Sequence, residues 1–268
     1  MEKEYETKPP NKPNKIIQKN VKTFSAISKN IFVLDDSGDL KFLNASIQIL
    51  FTCNKFRTEV LKHKSSFAKK IVEAFNANGI PKTDGIYEQL DCPSKTPIEA
   101  IKAILVKLNS EENSKKIIDF GKPFEIKINN GVNTNSVYNL TITPDDGTMV
   151  DCITNYLASS NRKIVSLPDF LIIDVIQSEA SKKITTDIVC FNTNSLGECI
   201  GTDNKEGIVY ILVGTIINAD KDNYYAKSIR GRYVYLFNMN KIRQLNRLDT
   251  NIENICVFLY IRLDKANC

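Results

Sequence analysis

Histidine is almost missing from this chain: His63 is the one residue of its kind in 268. Imidazole is the usual general base near neutral pH and a frequent metal ligand. Both chemistries therefore have a single candidate. Close cysteine pairs are missing too. Seven cysteines stand at 53, 92, 152, 190, 199, 256 and 268, no two of them closer than nine positions. Structural zinc sites usually draw on pairs such as C-x2-4-C, so the spacing argues for scattered reduced thiols and against a bound metal. No cofactor is expected. No apolar run approaches the roughly 20 residues of a membrane span. The opening Met1-Glu-Lys-Glu-Tyr-Glu lacks the apolar core of a secretory signal. The expectation is an intracellular protein of cytoplasm or nucleus with no membrane partner.

What is present is ordinary for a globular domain: 42% hydrophobic and 25% charged residues, in a chain long enough to bury a sizeable core. The net charge of +5 is a mild surplus. Residues through Lys22 hold six lysines and three glutamates, so +3 of the +5 lies there. That stretch is Lys/Pro/Asn-rich, and Pro9, Pro10 and Pro13 block regular structure. It reads as a disordered basic tail, 1–22, ahead of one domain, 23–268. The domain shows no basic stripe interleaved with aromatics, which argues against nucleic acid as a partner. Its nearest candidate, Arg230-Gly-Arg232-Tyr233, reads as a hairpin turn.

Periodicity places helices first. Apolar residues at 43, 47, 50 and 51 make a helical stripe, and the spacing predicts one helix from Phe42 to His63. A second is predicted over Ser66–Ala77, and a third over Pro97–Leu108 with Thr96 as cap and Glu99 at the capping-box position. After Gly121 the period becomes two. Phe124, Ile126 and Ile128 alternate with polar residues, Asn130-Gly131 signals a tight type I′ turn, and Tyr138, Leu140 and Ile142 form the return. A short helix over Met149–Leu157 follows. Strands are then predicted at Phe170–Val175, Ile188–Phe191, Val209–Ile217, Tyr224–Ile229, Tyr233–Phe237 and Ile255–Leu263. Helices followed by antiparallel strands indicate an α+β fold.

Several blocks carry a resemblance. Val33-Leu-Asp-Asp-Ser-Gly-Asp-Leu-Lys-Phe-Leu-Asn-Ala-Ser-Ile-Gln-Ile-Leu50 is similar to G-L-x-N-L-G-N-T-C-Y-x-N-[SA]-x-L-Q-x-L, through Gly38, Asn44, Ala45, Gln48 and Leu50. Further blocks follow in a matching order. Thr96–Leu108 resembles Q-D-A-x-E-F-L-x-x-L-L-D-x-L. Ser136–Ile142 with Met149–Leu157 resembles L-S-L-x-I…S-L-x-D-x-L-x-x-Y-F, and Leu167–Val175 resembles L-P-x-x-L-I-I-H-L. Tyr210–Asn218 with Asp222–Tyr225 resembles a strand followed by G-H-Y. Tyr233–Ile242 resembles W-Y-x-F-D-D-x-x-V, and Asn254–Arg262 resembles A-Y-I-L-F-Y-x-R. These are motifs of the ubiquitin-specific proteases. The resemblance spans about 31 to 263. It implies the papain-like fold of that family: a helical thumb (about 31–120) on an antiparallel β palm. The stretch 121–142, which corresponds to the family's zinc-bearing fingers, has no cysteine. Fingers and palm (about 121–268) would then include only short, zinc-free fingers.

The resemblance also implies that the family's chemistry is absent. Lys41 falls on the nucleophilic cysteine, Asn223 on the histidine and Asn238 on the orienting aspartate. Asp36 falls on the oxyanion-hole asparagine. A protonated amine is no thiolate, an amide has no nitrogen that titrates near pH 7, and a carboxylate opposes a developing oxyanion. Asp36 and Lys41 are placed to pair with each other. Lys41 is expected to face Asn223–Tyr225 across the former cleft. Cys53 and His63, far along the predicted helix, do not reach that site. His63 is read as a surface residue at a helix C-terminus.

The expected function is a pseudo-deubiquitinase that binds or assembles with protein. The partner could be ubiquitin or a ubiquitin-like protein held weakly through Tyr224, Tyr225, Asn44 and Gln48. Tyr224 alone serves a buried strand equally well. A structural role in a larger particle, including a virion or a viral assembly in host cytoplasm, is a second reading. A divergent active cysteine-type ubiquitin hydrolase with a different triad is the third, and the single histidine weighs against it.

Overall fold

A computed structural model describes residues 32–35, 38–77, 80–111, 118–144, 147–176, 184–185, 188–191, 208–220, 222–238, 241–246, 248 and 254–263. The tail 1–22 and Asp36 lie outside the described residues, and so does the predicted Asp36–Lys41 pair.

The first predicted helix is two. α1 spans Lys41–Leu50 and α2 spans Asn54–Lys62. The break lies at Phe51–Cys53, where Thr52 N donates to Ile49 O and Cys53 N to Leu50 O, both at 3.0 Å. Cys53 is extended and opens α2. Every residue of α1 from Phe42 to Leu50 is buried, so α1 is enclosed on all sides. α3 (Ser66–Asn76) starts where Ser65 Oγ accepts from Ala68 N at 3.1 Å. A single turn, α4 (Asp84–Tyr87), precedes α5 (Pro97–Ser110). Pro97 takes the first turn of α5, but Thr96 makes no side-chain cap, and Glu99 pairs with Lys102 at 2.9 Å instead. A true capping box opens α6 (Met149–Ser159), through Thr148 and Asp151.

In chain order the strands are β1 (Ile126–Asn129), β2 (Thr134–Val137), β3 (Leu140–Ile142), β4 (Gly147–Thr148), β5 (Lys163–Ser166), β6 (Phe170–Val175) and β7 (Ile184–Thr185). They continue with β8 (Ile188–Phe191), β9 (Ile208–Asn218), β10 (Tyr224–Arg230), β11 (Tyr233–Asn238), β12 (Lys241–Leu245) and β13 (Ile255–Arg262). The large sheet has the order β12-β11-β10-β9-β13-β6-β3, with β8 also on β9. It is mixed: β3 lies parallel to β6 and the other pairs are antiparallel. β4 and β7 form a separate parallel pair. A small sheet has the order β2-β1-β5.

The Asn130-Gly131 signal marks a real hairpin with a different loop. Asn129 pairs with Thr134, and Asn130 N donates to Asn133 O, so four residues make the turn, with Gly131 at φ +86°. The return strand ends at Val137. Leu140 and Ile142 cross to the large sheet because both bury there. The turn between β10 and β11 is the expected one: Arg230 pairs with Tyr233 and Gly231 takes φ +63°.

α1 and α5 pack together, α1 against β9 and β10 and α5 against β13. Close approach of α1 to the sheet depends on Gly214 of β9. A Cβ there would stand 2.5 Å from Ile49 Cδ1 and 3.2 Å from Lys227 O. A second core lies between α6 and the sheet, where Ile153, Leu157, Leu171, Ile173, Phe258 and Tyr260 bury completely or almost so. Each such side chain contributes about 1.5–3 kcal/mol. Among the described residues no helix is long and apolar enough to cross a membrane.

Candidate functional site

The site forms where the N-terminus of α1 meets the turn between β9 and β10. Lys41 is the first residue of α1 and half-buried. The turn is held by its own backbone: Asn223 N donates to Asp220 O at 2.7 Å, and Ala219 N to Asn223 O at 3.0 Å. Asp222 sits at φ +60°, a left-handed position that Asp tolerates better than most residues. Asn223 is thereby presented to α1, and Lys41 Nζ donates to Asn223 Oδ1 at 3.1 Å. The bond also satisfies a cation at a helix N-terminus, where the helix dipole disfavours it.

Asn238 closes β11 nearby. Its Oδ1 is buried and accepts no hydrogen bond among the described residues. It borders a cavity of about 20 Å³ together with Asn44, Gln48, Tyr224 and Tyr225. The fold therefore gathers the four predicted binding residues and Asn238 around one small space, while Lys41 and Asn223 meet outside its lining.

Two of those residues are engaged inside the protein. Asn44 Nδ2 donates to Asp35 O at 2.5 Å, and Asn44 Oδ1 accepts from Thr83 Oγ1 at 2.8 Å. Asn44 thus ties α1 to the segments on either side of it. Gln48 is buried, with its main-chain O 2.5 Å and its Oε1 3.4 Å from Arg230 Nη2. Tyr224 is buried, and burial raises its phenol pKa, with Cys256 and Asp222 adding to the shift. Tyr225 is half-buried and packs against the core under α6.

Arg230 was not legible as a site residue. It is 5% exposed and donates to Phe51 O, to Gln48 O and to Ser228 Oγ. Its guanidinium lies 5.5 Å from the centre of the Phe237 ring. Burial, with Arg57 as a like-charged neighbour, lowers its pKa to about 9. Arg57 also donates to Phe51 O, at 2.9 Å. Two arginines on the last carbonyls of α1 complement its C-terminal dipole and mark where α1 stops. One sequence signal existed: Tyr224, Ala226, Ser228 and Arg230 alternate onto one face of β10, and all four are buried.

The displaced candidates sit in the core. Cys53 is 1% exposed, and burial pushes its thiol pKa far up against the smaller opposing effect of Arg230 and Arg57. Burial also raises Cys92, and raises Cys256 to about 12. A reactive thiol needs the opposite shift. His63 is buried, which corrects its reading as a surface residue. Its Nδ1 lies 3.0 Å from Ser65 Oγ, its ring meets Phe120 edge to face at 5.0 Å, and burial lowers its pKa.

No protein-family model matches the sequence, and no curated protein does. Solved structures do. A chain of the SAGA Ubp8/Sgf11/Sus1/Sgf73 DUB module superposes with a TM-score of 0.63 at 14% identity, over 92% of this chain and 73% of that one. The same module with a substituted Ubp8 gives 0.64, again at 14% identity and with the same coverage. The chain therefore has an α+β fold like that of the matched chain of this DUB module, and at this identity the likeness concerns the fold alone.

Proposed function

We propose that residues 23–268 form a ubiquitin-specific-protease-like domain that has lost hydrolysis and works by binding protein. In this reading α1 to α5 belong to the thumb, the large sheet is the palm, and β1–β2 is a shortened, cysteine-free finger hairpin. Lys41, Asn223 and Asn238 stand where cysteine, histidine and aspartate would be. The carrying observation is the 3.1 Å bond from Lys41 Nζ to Asn223 Oδ1. It joins the two positions that would hold nucleophile and base, and neither group can supply a thiolate or accept a proton near pH 7. The buried Cys53 thiol and the buried His63 lend no support to a relocated centre. The protein should release no fluorophore from a ubiquitin C-terminal fluorogenic substrate and should resist labelling by a thiol-reactive ubiquitin probe. Turnover abolished by Cys53→Ala would overturn the proposal.

Free ubiquitin is a weak partner in this reading. Asn44 and Gln48 are engaged internally, Tyr224 is buried and Tyr225 packs against the core, and a short hairpin replaces much of the finger surface. Stable interfaces bury about 1,600 Å². The dissociation constant should then be about 100 µM or poorer, near −5.5 kcal/mol. Titration into isotopically labelled ubiquitin tests this. Low-micromolar binding lost in Tyr224→Ala would mean that the ubiquitin site persists. The matching module is itself named with several protein components, which favours assembly as the role. A larger particle, viral ones included, is the setting we propose, with the basic tail 1–22 as a tether.

A further inference from the structure

Three helix ends from separate stretches of the chain meet at one hydroxyl. His63 follows the last residue of α2, Ser65 caps the start of α3, and Glu111 follows α5. Ser65 Oγ accepts from Ala68 N at 3.1 Å, lies 3.0 Å from His63 Nδ1 and hydrogen-bonds the Glu111 carboxylate. Phe67 N donates to Glu111 Oε2 at 2.9 Å, and Lys107 Nζ stands 3.6 Å from Glu111 Oε1. Helix capping explains the bond from Ala68. It does not explain the other two contacts of the hydroxyl.

A serine hydroxyl has one proton to give, and Nδ1 and the carboxylate cannot both receive it. Given to His63, it would leave Ser65 Oγ facing Glu111 with lone pairs alone. Given to Glu111, it makes a charge-assisted bond, about twice as strong as a neutral one. Ser65 Oγ then has a lone pair left for His63, and the ring must carry its proton on Nδ1. The contact that favours the other tautomer is Ser65 N, 3.4 Å from Nδ1 and outside the ordinary range of about 2.7–3.2 Å. The surroundings add no competing charge among the described residues. From α5 come Glu111 and Lys107. Beyond α5, Phe120 covers the ring, and its neighbour Asp119 is held by Asn109, Gly121 and Lys122. Lys62 and Lys64, on either side of His63, are exposed.

We propose that Glu111, acting through Ser65, holds His63 as the Nδ1–H tautomer and makes Nε2 the nitrogen that takes up a proton as pH falls. The one imidazole of the chain is thereby built into a proton-responsive clasp between α2, α3 and α5. When His63 is protonated, the chain from Nδ1–H through Ser65 to Glu111 persists, with a cation at one end and a carboxylate at the other. Burial lowers the His63 pKa, and Glu111 works against that shift. The clasp opens when Glu111 is neutralised. Burial alone would raise the Glu111 pKa, but the bonds from Ser65 and Phe67, with Lys107, hold it below its ordinary 4.5. The clasp is therefore complete above about 4.5 and lost as pH falls through the lower folded value.

The full chain with isotopically labelled histidine offers a single ring to follow. Proton–nitrogen correlation spectra recorded above the His63 midpoint should show a protonated Nδ1 and a bare Nε2. Glu111→Ala frees the Ser65 proton for Nδ1 and should switch the ring to Nε2–H. Ser65→Ala should do the same from the other end of the bond. Glu111→Gln, whose amide oxygen still accepts, should keep Nδ1–H while lowering the midpoint, because the charge that favours the cation is gone. Cooperative thermal unfolding identifies the variants that fold. A wild-type ring protonated on Nε2 would overturn the proposal. An Nδ1–H ring in either Ala variant that folds would also overturn it, and would leave Ser65 as the cap of α3 and nothing more.

Discussion

Lys41 and Asn223, 182 positions apart in sequence, share a 3.1 Å hydrogen bond that ties the first residue of α1 to the turn between β9 and β10. At the other end of the same helix Arg230 grips Gln48 O and Phe51 O. Between them Gly214 lets Ile49 sit against the sheet. α1 is thus fixed to the sheet at both ends and in its last turn, and the cavity beside Asn44 and Gln48 holds about 20 Å³. That is room for about one water molecule, whereas a cleft of about 560 Å³ opens at the N-terminus of α1 beside Leu40, Thr83 and Tyr87.

The two ends of the Lys41–Asn223 bond should not be equally costly to remove. Asn223→Ala leaves a cation at a helix N-terminus without its acceptor and should cost about 1 kcal/mol. Lys41→Ala loses the same bond but also removes the unfavourable charge–dipole contact, which returns about 0.3–1 kcal/mol. Denaturant unfolding should rank wild type and Lys41→Ala close together and Asn223→Ala below both. Equal losses would mean that the helix dipole plays no part.

Arg230 should be far more sensitive. Arg230→Met removes three charge-assisted hydrogen bonds and a ring contact, while Phe51 O keeps Arg57 and Gln48 O keeps Thr52 Oγ1 as donor, with an expected loss of about 3–5 kcal/mol. Arg230→Lys should recover little, since one ammonium cannot reproduce a planar fork that spans Gln48 O, Phe51 O and Ser228 Oγ. Thermal unfolding of the two variants checks this, and a Lys variant near wild type would contradict it.

Gly214→Ala should destabilise by about 1–3 kcal/mol, because the new methyl group meets both a side chain and a backbone oxygen. Ile49→Val removes the Cδ1 atom of the closest contact. The double variant should therefore be less destabilised than the sum of the two single changes. Strict additivity in a double-mutant cycle would show that α1 moves away instead.

The single histidine makes one pH effect readable. Burial lowers the His63 pKa below its ordinary 6.5. As pH falls through 6.5 the unfolded chain takes up this proton before the folded one. Stability tied to neutral His63 is therefore complete above about 6.5 and declines as pH falls below it. NMR of the one imidazole should show a depressed midpoint. His63→Gln should flatten the loss of stability that begins just below pH 6.5, ahead of carboxylate protonation. A midpoint at or above 6.5 would refute the buried neutral assignment.

The prediction of a metal-free protein rests on residue types and their spacing. Among the described residues no three of His, Cys, Asp or Glu are grouped to hold an ion. Elemental analysis should find no stoichiometric zinc, and chelator should leave the melting temperature unchanged. One zinc per chain would overturn this.

By itself the sequence determined the helices over Ser66–Asn76, Pro97–Ser110 and Met149–Ser159 and most strands of the large sheet. It also determined the turn at Gly231 and the absence of a titratable base at 223. These follow from periodicity, prolines, glycines and side-chain chemistry, which act within a few residues and can be read there. The break at Phe51–Cys53 could not be read, since Thr52-Cys53-Asn54 carries no Gly or Pro and one of the two arginines on Phe51 O, Arg230, comes from β10. The partition of His63 into the core was hidden for the same reason: Phe120, which covers it, lies 57 residues on. The parallel placing of β3 beside β6 and the gathering of Lys227, Leu236 and Arg243 on one face were likewise decided by packing, whereas the family resemblance already places Lys41 opposite Asn223. A side chain's partner across the chain depends on which surfaces are buried together, and that is a property of the assembled fold.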